Sequence, residues 1–192
     1  GRGLRLVCPL PPHRLGRRRE DAEPLTFRLR GETRHALAER QRFLVLEPTG
    51  TAWMYQGNEA KLKELGESFF KLLMSLESAQ VEYDLGCENV MANHGSVTGT
   101  QLKVGRRAYD VVVIPPFTET LDAKTWELLH LYLLAGGEVL SCAEALERCD
   151  GRVEASPARM VVSNEHWRKA DAAGVPARLM RQQLQTAVTT VG

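Results

Sequence analysis

Two apolar runs stand out along the chain. Phe43 to Leu46 is unbroken and stops at Glu47-Pro48; Val111 to Ile114 is unbroken and stops at Pro115-Pro116. Continuous rather than alternating apolar character belongs to a central parallel strand covered on both faces. EVLSC (138–142) reads as another such strand, and AQVEYDL (79–85) as a shorter one. Between them the period changes. From Asn58, an N-cap residue, Leu62, Leu65, Phe69, Leu72, Leu73 and Leu76 recur at steps of mostly three and four, which predicts a helix to about Ser78. The preceding TGTAWMYQG reads as a loop. CENVMANHG reads as a short helix ended by Gly95, and SVTGTQLKVG as a hairpin about Gly99. A helix is expected from an Asp122 N-cap to Ala135, ended by Gly136-Gly137. RMVVS (159–163) reads as a further strand. Asn164 would then cap a helix through Trp167 and Lys169, broken at Gly174-Val175-Pro176, with a last helix over about 177–189. Strands alternating with helices imply parallel pairing through right-handed crossovers. The expected fold is a three-layer α/β/α domain with a mostly parallel, flavodoxin-like sheet.

Residues 1–40 follow another pattern. The first 23 are rich in Pro and Arg and carry no period, as a linker or tail does. PLTFRLR (24–30) alternates Leu25, Phe27 and Leu29 with polar residues, so it reads as a half-buried strand or the remnant of a preceding β segment. This region holds ten Arg and five acids, against 15 basic and 19 acidic residues over 41–192, so the overall charge of +1 hides a basic arm and a mildly acidic body. Arg17-Arg18-Arg19 reads as a solvated run rather than a phosphate-binding arm, and no nucleic-acid partner is expected. With 192 residues, one domain plus an appendage is expected: a linker over 1–40, an α/β body over 41–150 and a helical connecting segment over 151–192. No run of 18 apolar residues would cross a membrane. The start, without Met, reads as a piece of a longer protein. Four unclustered cysteines, Cys8, Cys87, Cys142 and Cys149, read as reduced thiols of a cytoplasmic protein.

In an open parallel sheet, ligands bind at the carboxyl ends of the strands, so the chemistry is sought there. The candidate ligand-binding residues are Glu47, Thr49 and Trp53 after the first strand, Asn89 after the second, and Thr118 and Glu119 after the third. Acids, hydroxyls and an aromatic on one edge suit a carbohydrate; the alternative is that such loop ends are polar in any protein. Neither GxxxxGK[ST] nor GxGxxG is present, and no metal-ligand spacing is seen, so no cofactor and no metal are expected. Two catalytic candidates remain. Cys142 ends a strand before AEAL, and a strand–Cys–helix turn would lower its thiol pKa, with His94 or His130 as base. Glu47 and Glu119 lie on strand ends that could pair for glycoside hydrolysis, if their separation were ~5 Å or ~6.5–9.5 Å. The helix over 122–135 is apolar around most of its circumference, which offers Trp126, Leu129 and Leu133 as an interface, unless the chain's own last helix covers them.

Three stretches carry a resemblance: EPTGTAWM after the first strand, YDLGCENVMANHGSVTGTQLKVGRRAYDVVVIPPFTETL, and LLAGGEVLS. Over about residues 41–150 they resemble the class I glutamine-amidotransferase-like (flavodoxin-like) accessory domain of large bacterial glycoside hydrolases of the α-L-rhamnosidase-like kind. The trimerisation domain of some β-galactosidases is similar in layout. The resemblance implies a non-catalytic domain that packs beside a catalytic barrel or mediates oligomerisation, since the catalytic carboxylates of such enzymes lie on the barrel. It implies the parent's other domains as partners, a homo-oligomer through the helix 122–135, and carbohydrate as substrate. Amidotransferase activity is not carried over: glycines do not flank Cys142, and His166 directly follows Glu165, so no His–x–Glu follows the cysteine. A small cysteine-dependent hydrolase using Cys142 and a ligand-free interaction module are the alternatives.

Overall fold

The structure, a computed structural model, describes residues 43–153 and 161–190. The expectations for residues 1–40 lie outside them. Five parallel strands form the main sheet: β1 (Phe43–Leu46), β2 (Tyr83–Gly86), β6 (Val111–Ile114), β8 (Glu138–Ser141) and β11 (Trp167–Lys169). Their spatial order is β2-β1-β6-β8-β11. Counted along the main sheet this is 2-1-3-4-5, the flavodoxin-like doubly wound order. The chain is an α/β protein.

Alternation along the central strands divides the core into two layers. Leu44, Leu46, Val112, Ile114 and Val139 face α3 (Glu88–His94) and α4 (Ala123–Leu134), packing on Met91, Trp126, Leu129 and Leu133. Phe43, Val45, Val111, Val113 and Leu140 face α2 (Glu59–Ser78) and α5 (Val175–Thr190), packing on Leu72, Leu76, Val175 and Leu179. All four residues of β1 and of β6 are buried, as strands covered on both faces must be. Asn58 caps α2 through its side chain, accepting from the Lys61 N–H at 3.1 Å. A Schellman motif ends α4: the Gly136 N–H donates to Leu133 O at 3.0 Å and the Gly137 N–H to Tyr132 O at 2.9 Å. Gly136 supplies the left-handed φ of +88°, and a Cβ on Gly137 would run into the Tyr132 ring at 2.0 Å.

The expected hairpin is a three-stranded meander of β3 (Gly95–Thr98), β4 (Gln101–Val104) and β5 (Arg107–Tyr109). It is pinned to β2, because Asp84 takes Arg107 at 2.6 Å and the Tyr109 hydroxyl at 2.8 Å.

Several expectations need correction. TGTAWMYQG is not a loop throughout, since α1 (Thr49–Met54) occupies most of it. Val161 and Val162 are helical, not extended, and Trp167–Lys169 is a strand, not a helix. Asn164 caps no helix; its Oδ1 takes the His166 N–H at 2.8 Å in a side-chain turn. Pairing with β8 holds Trp167–Lys169 extended, and Trp167 stacks on Trp126 with ring centroids 6.0 Å apart. The segment 151–192 is therefore more than a connection: β11 is the fifth strand of the sheet and α5 fills the second helical layer. A small second sheet, β7 (Thr120–Leu121), β9 (Arg148–Cys149) and β10 (Arg152–Val153), lies after β6 and β8.

Candidate functional site

Strand order reverses direction between β1 and β6, because the chain leaves β1 toward β2 on one side and later returns to β6 on the other. The crevice beyond the carboxyl ends of those two strands is where a doubly wound sheet receives ligands. Two segments build it, α1 after β1 and residues 115–119 after β6.

The second segment is held tightly. Thr118 Oγ1 donates to Pro115 O at 2.8 Å, closing the turn on itself. Thr51 Oγ1, buried on α1, accepts the Glu119 N–H at 2.9 Å and the Thr120 N–H at 3.3 Å. The Tyr55 hydroxyl donates to Glu119 Oε1 at 2.7 Å, which raises Tyr55 above the usual phenol value. Arg148 Nε lies 3.8 Å from Glu119 Oε2. Thr51 of α1 and Tyr55, the residue just past its end, lie one turn apart, while Trp53 between them is 65 % exposed.

These contacts fix Phe117 in a left-handed backbone with φ of +59°. A non-glycine residue costs about 1–2 kcal/mol there. Its ring is nonetheless 44 % exposed rather than buried. It forms one wall of a groove of about 570 Å³ whose other wall is the polar flank of α2, including Lys61, Glu64, Ser68 and Lys71. Lys61 pairs with Glu64 at 3.0 Å. The strained backbone of the loop after β6 thus displays an exposed aromatic ring.

The sequence-expected residues divide around this geometry. Thr118 and Glu119 belong to the bracing of the loop. Trp53 is a free aromatic on the same edge. Thr49 is exposed at the start of α1 and caps nothing with its side chain. Asn89 points out from α3, where its oxygens take the Asn93 side chain at 2.8 and 3.3 Å. Glu47 is half-buried at the end of β1. Of the expected carboxylate pair, Glu119 is bound to Tyr55 and Arg148.

Two features weigh against Cys142 as a nucleophile. No helix follows it, as residues 142–147 are irregular, so no helix N-terminus faces the sulfur. Burial, with Asp171 nearby, pushes the thiol up to about 11. It packs against the α2/α5 layer, whereas His94 and His130 lie on α3 and α4 on the other side of the sheet. The interface expectation is also corrected: Trp126, Leu129 and Leu133 are at most 1 % exposed and packed inside their own chain. What α4 presents outward is Leu131 and Leu134, at 51 % and 65 %.

Phe117, Tyr55 and the α2 flank were missed in the sequence. The available signal was an aromatic directly after the Pro-Pro stop of a central parallel strand. Among the described residues, no group of His, Cys, Asp and Glu is placed to hold a metal, and no helix is long and apolar enough to cross a membrane.

No family model, curated protein or solved structure matches the chain. The fold defines its class: a doubly wound α/β domain.

Proposed function

We propose that this is a non-catalytic α/β domain of a multidomain glycoside hydrolase, holding carbohydrate at the carboxyl edge of its sheet and packing beside the parent's catalytic barrel. The observation that carries this reading is Phe117, displayed at φ of +59° over the groove along α2. An aromatic face suits the C–H face of a sugar ring, and the alternating ammonium, carboxylate and hydroxyl groups of α2 suit its hydroxyls. The bound carboxylate of Glu119 and the buried thiol of Cys142 both favour binding over bond cleavage.

The test has two arms: titration of the chain with a panel of rhamnosides and galactosides, and a hydrolysis assay on the same compounds. Saturable binding without turnover supports the reading. Hydrolysis by the chain alone would overturn it, as would the absence of binding across the panel. A ligand-free interaction module, or a homo-oligomer through α4, is the second reading, favoured by the exposed Leu131 and Leu134. It predicts a concentration-dependent mass in solution that a Leu134→Glu change abolishes.

A further inference from the structure

Glu88 opens α3 and is only 5 % exposed. Its Oε2 accepts the Asp122 N–H at 2.7 Å, at the start of α4. The backbone of α1 comes close on another side: a Cβ built on Gly50 would lie 3.4 Å from Glu88 Oε1. One carboxyl group thus ties α3 to the start of α4, with the backbone of α1 packed close to it. The path from the loop that displays Phe117 is short, since Thr120 and Leu121 of β7 connect it directly to Asp122.

Two charged groups act on Glu88, and both are acids. Asp122 is at the junction itself. Asp150 comes from the turn between β9 and β10, where its Oδ1 accepts the Ala123 N–H at 3.0 Å. From α1 the approach is made by Gly50, which carries no charge, and from α4 by Thr125, whose hydroxyl is buried beside the carboxyl without making a hydrogen bond of good geometry. Ionisation therefore places a buried negative charge close to two acids nearer the surface, the half-buried Asp122 and the exposed Asp150. Burial is the largest effect and pushes Glu88 up to about 7; the Asp122 N–H and the Thr125 hydroxyl, which favour the ionised form, do not offset it.

We propose that Glu88 is a proton-operated clasp of the carboxyl edge: protonated, it holds α3 to the start of α4 beside α1, and loss of its proton loosens the β7–α4 junction and the loop that carries Phe117. A neutral carboxyl still accepts the Asp122 N–H through its carbonyl oxygen, so the clasp closes without charge. The inference gives a pH dependence to the surface read above as the binding edge and rests on that reading for its functional meaning. The clasp itself is measurable without ligand.

The experiment follows the Glu88 side-chain carbonyl by ¹³C NMR from pH 5 to 9, together with amide hydrogen exchange at Asp122, Glu119 and Thr120, corrected for the intrinsic base-catalysed rate. Both are measured in the full chain and exchange is repeated in Glu88→Gln. The clasp predicts a carboxyl midpoint near 7 and a fall in protection on the order of tenfold across it, absent in Glu88→Gln. A midpoint in the ordinary glutamate range would overturn it, as would an equal fall in the variant. The wild-type carboxyl titration decides the matter even if Glu88→Gln does not fold. Should no saccharide bind while protection still follows the Glu88 proton, the clasp stands and the carbohydrate reading falls.

Discussion

Thr51 Oγ1 accepts the Glu119 N–H at 2.9 Å, so a hydroxyl on α1 holds the loop that follows β6. The same oxygen takes the Thr120 N–H at 3.3 Å. Thr51 is 1 % exposed, and water cannot replace it. Thr51→Val keeps the shape and removes the acceptor, leaving two backbone donors unpaired. The expected cost is about 2 kcal/mol, read as a lower urea midpoint with an unchanged m-value. A loss below about 0.5 kcal/mol would mean that the loop does not depend on this contact.

The Trp126–Trp167 stack ties the last strand to α4. Trp167→Ala should cost about 3 kcal/mol, the usual price of emptying a buried aromatic site. It should also remove the near-ultraviolet circular dichroism of the pair. If 167–169 were an exposed connecting helix, the change would be close to neutral.

That contrast marks what was legible in the sequence. Val111 to Ile114 followed from an unbroken apolar run, and the Leu62–Leu76 stripe from burial that repeats at the helical period. Trp167–Lys169 did not, since its strand state comes from parallel pairing with Val139–Ser141, far away in sequence. The β9–β10 hairpin was readable and passed over: Asp150-Gly151 is a two-residue turn with φ of +50° and +75°, as an Asp-Gly primed turn requires. Thr118 and Glu119 follow β6 at the carboxyl edge, but their hydrogen-bonded roles were not visible in the sequence. Whether a carboxylate is free or bound depends on Tyr55 and Arg148, which no spacing rule brings to Glu119. Glu88 follows the second strand among the expected edge residues, but its burial is set by contacts with α4 rather than by its neighbours.

Glu88 also sets a slope of stability against pH. Its pKa rises from 4.5 to about 7 on folding, so between those values the native state keeps a proton that the unfolded chain releases. Stability contributed by the proton is fully present below about 4.5, declines as pH rises, and is gone above about 7. The shift corresponds to about 3 kcal/mol. Urea unfolding at pH 5 and pH 8 should show this fall in the wild type, on top of the titrations of other groups, and a smaller one in Glu88→Gln. Parallel profiles for the two proteins would contradict it.

The Cys142 thiol is expected to be inert. With its pKa pushed from 9.0 to about 11, the thiolate fraction at neutral pH is about 100-fold below that of an ordinary cysteine. Alkylation of the folded chain with iodoacetamide, read site by site by mass spectrometry, should leave Cys142 the slowest to react among it and the half-buried Cys87. Rapid labelling at Cys142 would reopen the case for cysteine chemistry.

Phe117 is where the account is most exposed to test. Glycine accepts φ of +59° without strain, so Phe117→Gly should keep the fold and its stability within about 1 kcal/mol while removing the aromatic wall. The measurement is ¹H–¹⁵N chemical-shift mapping of the chain titrated with rhamnose- and galactose-containing oligosaccharides, wild type beside Phe117→Gly. The predicted result is saturable shifts confined to residues 115–119 and the Lys61–Lys71 flank of α2, lost in the variant. Shifts elsewhere on the domain, shifts that persist in Phe117→Gly, or none at all would contradict the carboxyl edge as a carbohydrate-binding surface.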